Sequence, residues 1–142
     1  MPEEPLFVQR FEIGGRDFRN AGKASTTAKA ILKEIGIHPA VIRRAAIAAY
    51  EAEMNVVLYA RKGIMEIRVS PKDIQIRLED EGDGIADVEL AMQEGYSTAS
   101  DEIREMGFGA GLGLPNIKKN ADSFHIHSVV GKGTTLEITV LL

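Results

Sequence analysis

The sequence predicts a two-layer α+β fold, in which helices cover one face of a mainly antiparallel sheet. Two pairs of strand-like segments flank turns at Pro71-Lys72-Asp73 and at Gly131-Lys132-Gly133, as expected for hairpins. A helical segment from Pro39 to about Ala60 is apolar almost all round, so it requires burial on most sides. A sheet with one apolar face meets that requirement.

Each element follows from local periodicity and from the residues that end it. Residues 6–13 are predicted to form a strand, and Gly14-Gly15 marks a turn after it. A short strand after this turn is the further expectation. Residues 22–35 form a helix whose apolar stripe ends at Gly36. In 74–80, apolar residues alternate with polar ones, so one face of that strand meets the core. The remaining predicted elements are a strand at 63–70, a short helix after Asp87, a helix at 112–121, and strands at 124–130 and 134–141.

The composition is typical of one soluble globular domain, which we assign to residues 1–142, with 44% hydrophobic and 27% charged residues. The net charge of −4 disfavours nucleic acid and anionic lipid as main partners. The absence of cysteine excludes disulfides and zinc–thiolate sites. The N-terminus lacks the features of a signal peptide, and the most apolar stretch, 45–60, is short for a membrane span. We therefore expect a cytoplasmic protein without a membrane partner.

The long apolar helix carries Glu51 and Asn55, which are four residues apart and therefore share a face. Burying a carboxylate in such a helix is costly unless the carboxylate is paired or functional. As a functional group it accepts a proton or orders a hydroxyl, and the amide oxygen of Asn55 suits magnesium. The alternative is a structural pair between Glu51 and a basic residue such as Arg77.

A second polar segment, Asp80-Glu81-Gly82-Asp83-Gly84, follows a core-facing strand. An acid at a strand end can accept a hydrogen bond from an exocyclic amine, and the glycines let the backbone approach a flat ring. An ordinary acidic turn explains this segment equally well.

A third segment has glycine at alternate positions, 107, 109, 111 and 113, and a helix follows at once. Backbone without side chains before a helix N-terminus forms an anion site, because free N–H groups point at the ligand. The segment has neither the Lys-Ser/Thr of a P-loop nor the spacing of the dinucleotide fingerprint. It is therefore a phosphate-loop candidate of another type. A flexible linker is disfavoured, because Leu112, Leu114 and Ile117 resume a core pattern.

Together these segments resemble the GHKL, or Bergerat, ATP-binding fold. The run from Glu51 to Asn55 matches its N-box, and Asp80, Gly82 and Gly84 match its D-x-G-x-G box. Gly133-Thr134-Thr135 matches its late G-T motif. The second glycine box is matched by Gly109, Gly111, Gly113 and Leu114. A free-standing domain of this size most resembles the anti-sigma-factor serine/threonine kinases and the related switch kinases.

The resemblance implies ATP and Mg²⁺ as cofactors. Asp80 would bind the adenine amine, Thr135 would support the adenine, and Asn55 would bind magnesium. Glu51 would be the catalytic base toward an acceptor hydroxyl. The other nucleotide-binding residues would be Gly82, Gly84, Gly109, Gly111, Leu112, Gly113 and Leu114.

The resemblance also implies an ATP lid at residues 94–108. Arg104 within it would reach the γ-phosphate or the partner, or would be a solvated charge. Two features depart from the strict anti-sigma pattern: the Gly-Leu-Gly-Leu-Pro run that ends at Pro115, and Glu53, a second acid beside the N-box.

The implied function is an ATP- and magnesium-dependent serine/threonine protein kinase that phosphorylates a small antagonist protein and regulates transcription through partner binding. The alternative is a nucleotide-gated binding module for a sigma factor or another regulator, without phosphotransfer. Hydrolysis of ATP alone is a third interpretation, and homodimerisation is left open. His125 and His127 lie two apart on a strand, for which surface or packing roles are favoured over metal binding.

Overall fold

The computed structural model describes residues 6–94 and 113–142, and these form five strands and four helices. The strands are β1 (Phe7–Gly14), β2 (Ala60–Val69), β3 (Asp73–Gly82), β4 (Ser123–Val129) and β5 (Gly133–Leu141). The helices are α1 (Lys23–Ile35), α2 (Pro39–Tyr59), α3 (Val88–Ala91) and α4 (Gly113–Asn120). The strands make one sheet in the order β1-β2-β3-β5-β4, and every pairing in it is antiparallel. The predicted α+β fold class is confirmed.

The apolar face of the sheet packs against α2. Alternate residues of 74–78 in β3 are buried, as predicted, and β5 repeats the pattern over 136–140. The helix meets them partly through four buried alanines between positions 45 and 52. These small side chains allow a close approach of helix and sheet, which fixes where the polar residues of α2 lie.

The start of α2 is capped by its own sequence. Pro39 occupies the first turn, and Nδ1 of His38 accepts a hydrogen bond from the Ala40 N–H at 3.1 Å. A residue in this N-cap position satisfies a donor that the helix itself leaves free. His38 thus has a structural role.

The predicted element bounds agree with the observed ones to within three residues, with one exception. The short strand after Gly14-Gly15 is wrong, since the described residues between β1 and α1 contain none. The Gly15 N–H instead donates to the Arg61 carbonyl at 2.8 Å, which ends β1 against β2. His125 and His127 are exposed on the edge strand β4, and His125 Nε2 lies 3.2 Å from Ser123 Oγ.

Candidate nucleotide-binding site

Glu51 lies where α2 and α4 pack together. Its carboxylate is half-buried, and Oε1 accepts a hydrogen bond from Asn116 Nδ2 at 3.4 Å. A Cβ placed on Gly113 would lie 3.2 Å from Oε2, so the first turn of α4 sits directly on this carboxylate. Burial raises the pKa of Glu51, and the Asn116 hydrogen bond acts in the opposite direction.

The structural alternative for Glu51 was a pair with a basic residue such as Arg77, and the described residues contain no such pair. Arg77 is exposed on the open face of β3, where its guanidinium lies 3.9 Å from Glu79. Glu51 belongs to a helix on the other face, so the sheet separates the two groups. A half-buried carboxylate with only an amide partner among the described residues keeps the character expected of a proton acceptor.

Asn55 and Glu53 share α2 with Glu51 but have opposite surroundings. The half-buried Asn55 carboxamide makes no hydrogen bond to any residue in the described ranges, so its oxygen is available as a ligand. Glu53 is 2% exposed, and its carboxylate accepts hydrogen bonds from three backbone N–H groups, those of Gly22, Ala24 and Ser25. Glu53 is therefore a cap for α1 and is not a second acid in the site.

The carboxylate of Asp80 is held at the end of β3 by the neighbouring strand. Its Oδ1 accepts a hydrogen bond from the Thr134 N–H at 3.0 Å. Burial raises the pKa of this half-buried group, and the Thr134 hydrogen bond opposes the rise. Within the described part of the chain nothing donates to Oδ2, which leaves that oxygen for an incoming amine.

Thr134, and not Thr135, faces the site. Thr134 is 5% exposed, on the same sheet face as the buried Leu136, and its hydroxyl lies 2.9 Å from Ser128 Oγ. Thr135 points to the opposite face, where its register partners are Glu79 and His127. Because residues alternate between faces along a strand, the predicted adenine contact of Thr135 does not fit this placement, and Thr134 is the threonine on the side of Asp80.

Two glycines of the Asp80 segment, and Gly133 at the start of β5, fit closely against other parts of the protein. Gly84 has φ +76, and a Cβ there would lie 2.5 Å from the Val129 carbonyl oxygen. A Cβ on Gly82 would lie 3.1 Å from Ala60 Cα. Gly133, with φ +155, would bring a Cβ to 2.1 Å from the Asp80 carbonyl oxygen. These contacts give the glycines a structural reason, and the nucleotide-binding role of Gly82 and Gly84 stays a prediction.

The same loop is tied to the turn between β4 and β5. The Gly82 N–H donates to the Lys132 carbonyl at 3.1 Å, and the Gly131 N–H donates to the Asp83 carbonyl at 2.8 Å. Ser128 Oγ accepts from the Ile85 N–H at 2.7 Å. Asp80 therefore sits in a framework fixed on both sides, as a recognition residue requires.

Only the end of the predicted glycine box lies in the described residues. Gly113 begins α4, and the Leu114 side chain is buried in the core. The other predicted features of this segment, Gly109, Gly111, Leu112, Arg104 and the lid at 94–108 except its first residue, fall outside the described residues.

The donors fit a nucleotide with magnesium better than a metal bound by protein alone. The described residues contain no cluster of three His, Cys, Asp or Glu able to hold a metal ion. One amide oxygen suits Mg²⁺, which takes most of its ligands from water and phosphate. A separate depression of about 470 Å³ lies between β1 and α1, and it includes none of the predicted site residues.

One protein family matches most of this chain. The family "Histidine kinase-like ATPase domain" matches residues 16–140. The chain belongs to this family. The predicted GHKL resemblance is thus confirmed, and with it ATP as the kind of ligand that the family's name implies.

The chain is similar to a serine/threonine-protein kinase and to an anti-sigma F factor. Serine/threonine-protein kinase RsbT of Bacillus subtilis (strain 168) is 34% identical over 111 residues, covering 75% of this chain and 77% of the relative. An anti-sigma F factor of Caldanaerobacter subterraneus subsp. tengcongensis is 37% identical over 97 residues, with coverage of 65% and 64%. Among solved structures, the Acinetobacter baumannii histidine kinase AdeS is similar with a TM-score of 0.47, 18% identity, and coverage of 95% of this chain and 69% of that one.

Sequence reasoning missed two residues of the site, Asn116 and Thr134. Thr134 was detectable, because it lies two positions from Leu136 and the side chains of a strand alternate between the two faces of the sheet. Asn116 had no local signal, since its contact with Glu51 joins residues 65 positions apart on two different helices.

In the part of the chain that the structure describes, no helix is long and apolar enough to cross a membrane.

Proposed function

We propose that this protein is an ATP- and magnesium-dependent protein kinase that phosphorylates a serine or threonine of a small antagonist-type protein. The observation that carries the proposal is the half-buried Glu51 carboxylate, which has a raised pKa and an amide as its hydrogen-bond partner. Binding a nucleotide does not use such a base, whereas transfer to a hydroxyl is accelerated by one. The name of the RsbT relative, a serine/threonine-protein kinase, points to the same activity.

The described residues divide the work of binding and chemistry. Asp80, held by the Thr134 N–H, accepts a hydrogen bond from the adenine amine through its remaining oxygen. Asn55 contributes one ligand to Mg²⁺, which supplies charge neutralisation at the phosphates. The N-terminal turn of α4, beginning at Gly113, offers backbone N–H groups to phosphate oxygens.

Glu51 carries out the proton transfer. As the acceptor hydroxyl oxygen bonds to the γ-phosphorus, the bond from that phosphorus to the bridging oxygen of ADP breaks. The hydroxyl proton passes to the Glu51 carboxylate, whose raised pKa brings it closer to the operating pH. The products are a phosphorylated serine or threonine and ADP.

The second candidate is a nucleotide-gated binding module for a sigma factor. The anti-sigma F factor names of other relatives favour a sigma factor among the partners. The net charge of −4 supports protein partners over nucleic acid. Regulation of transcription through such a partner is compatible with either candidate.

The test is phosphate transfer measured beside nucleotide affinity. The purified protein is incubated with γ-labelled ATP, Mg²⁺ and an extract of the source cells, and a labelled acceptor is identified and purified. Analysis of its phosphoamino acids should give phosphoserine or phosphothreonine. Glu51→Gln should lower the transfer rate by about 10²–10⁴-fold and keep ATP affinity.

Two further variants test the binding roles. Asn55→Ala should lose the magnesium-dependent part of ATP affinity. Asp80→Asn should weaken ATP binding by about 1–3 kcal/mol and should change GTP binding little. Glu34→Gln, on the exposed side of α1, is the matched control and should change neither property. If the wild type binds ATP and a protein partner but transfers no phosphate, the gated-binding function replaces the kinase.

A further inference from the structure

We propose that Asn116 is a positioning residue that holds the Glu51 carboxylate in the orientation needed for phosphotransfer. This inference rests on the proposed function and names a residue that no sequence motif singled out. Its basis is the hydrogen bond from Asn116 Nδ2 to Glu51 Oε1 at 3.4 Å, between α4 and α2. Within residues 6–94 and 113–142, the Glu51 side chain makes this one hydrogen bond.

The contact fixes one carboxylate oxygen and leaves the other for chemistry. Asn116 engages Oε1, while Oε2 faces the first turn of α4, 3.2 Å from the Cβ position of Gly113. A side chain at position 113 would therefore crowd Oε2, and glycine avoids that contact. An amide donor suits this task, because it holds a carboxylate without competing for the proton.

Asn116 is itself held in place from behind. Its backbone carbonyl accepts a hydrogen bond from Asn120 Nδ2 at 2.8 Å. The Asn120 carbonyl in turn accepts from Arg44 Nε of α2 at 3.1 Å, and Arg44 pairs with Asp122 at 3.0 Å. The far end of α4 is thereby fixed to α2, so the position of the Asn116 amide relative to Glu51 is well defined.

The same contact opposes the effect of burial on Glu51. Burial raises the pKa of the carboxyl, whereas the Asn116 hydrogen bond stabilises the ionised form. No charged side chain of the described residues is among the causes of this shift. Removing the amide should therefore raise the pKa of Glu51 further and also release the carboxylate from its orientation.

The experiment combines a titration of the free protein with kinetics. The Glu51 carboxyl is titrated by ¹³C NMR in wild type, Asn116→Ala and Asn116→Asp, without nucleotide. Phosphate transfer to the acceptor identified by γ-labelling is then measured at saturating ATP, beside ATP affinity. Lys118→Ala is the matched control, because it truncates an exposed side chain of the same helix and leaves the hydrogen bonds of Asn116 in place.

We expect Asn116→Ala to raise the titration midpoint of the Glu51 carboxyl. The variant should also slow phosphate transfer about tenfold, the effect on rate of losing one hydrogen bond to a charged group. ATP affinity should be unchanged. Asn116→Asp should raise the midpoint more, since it places a like charge beside the carboxylate. In a Glu51→Gln background, Asn116→Ala should cause no further loss, because the two residues act together.

An unchanged midpoint in Asn116→Ala would overturn the proposal, and so would an equal loss of rate in the Glu51→Gln background. A loss of ATP affinity that accounts for the slower rate would also overturn it, because Asn116 would then bind nucleotide. A wild-type protein that transfers no phosphate would instead refute the proposed function, and the catalytic role of the pair with it. The NMR titration distinguishes that outcome, since it needs neither ATP nor an acceptor.

Discussion

Replacing Glu53 with alanine is expected to lower the free energy of unfolding by about 2–4 kcal/mol, because it removes the cap of α1. The helix begins after Gly22, has no side-chain cap of its own, and has no acidic residue in its first turn. Glu53 supplies that function from α2. Its Oε2 accepts from the N–H groups of Gly22 at 3.0 Å and Ala24 at 3.2 Å, and Oε1 accepts from Ser25 at 2.9 Å.

The magnitude follows from the burial of the three donors. Ala24 and Ser25 are 7% and 5% exposed, so water cannot easily replace the carboxylate, and each orphaned donor costs about 1–3 kcal/mol. Gly22 is half-buried, and its N–H can reach water. Loss of the negative charge at a helix N-terminus adds about 0.3–1 kcal/mol, while fraying of the first turn of α1 limits the total.

The assay is urea denaturation of the free protein followed by circular dichroism. Glu53→Gln should lower the free energy of unfolding less than Glu53→Ala, because glutamine keeps one acceptor oxygen. It should still be less stable than wild type, because its N–H₂ group faces a backbone donor. Glu34→Ala, an exposed change on the same helix as the capped donors, should stay within about 0.5 kcal/mol of wild type. A loss below about 1 kcal/mol in Glu53→Ala, smaller than a single orphaned donor, would refute the capping role.

Two further predictions concern stability. Gly84→Ala should destabilise the protein by about 1–3 kcal/mol more than Gly131→Ala: both residues have positive φ, at +76 and +81, but only at Gly84 would a Cβ meet another group, the Val129 carbonyl. Equal losses in urea denaturation would exclude that steric contact. Glu51→Gln should make the free protein more stable than wild type at pH 7. Burial raises the pKa of folded Glu51 above its ordinary value of 4.5, so the folded state binds the proton more tightly than the unfolded state. The free energy of unfolding therefore falls as pH rises through the window between these two values. The stability advantage of Glu51→Gln should disappear below pH 4.5, the ordinary pKa of the group. A variant no more stable than wild type at pH 7 would contradict the predicted direction of the effect.

The fold was predictable because its signals are local. Alternation in 74–80 identified a strand with one buried face, and Pro39 marked the start of the long helix. Both are properties of a few consecutive residues, and both hold in the structure. The strand expected after Gly14-Gly15 failed because a glycine turn does not determine the conformation of the next segment. There the Gly15 N–H is bonded to β2.

The candidate site was predictable only in part. Glu51 and Asp80 were found because an acid in an apolar helix, or at the end of a core strand, is unusual within its own segment. Glu53 has the same local signal as Glu51, and nothing along the chain separates their roles. Only the packing of α1 on α2 places three backbone donors around Glu53, and only the packing of α4 on α2 places an amide beside Glu51.

By itself, the sequence determined the helices, the strands, the buried faces and the order of the polar segments, because these depend on periodicity along the chain. The tertiary structure decided which groups meet. It brought Thr134 to Asp80 and Asn116 to Glu51, and it placed Arg77 on the far side of the sheet from Glu51. Hydrogen bonds and desolvation act over a few ångströms, so the partners of a carboxylate, and therefore its pKa and its role, depend on distances that only the folded chain defines.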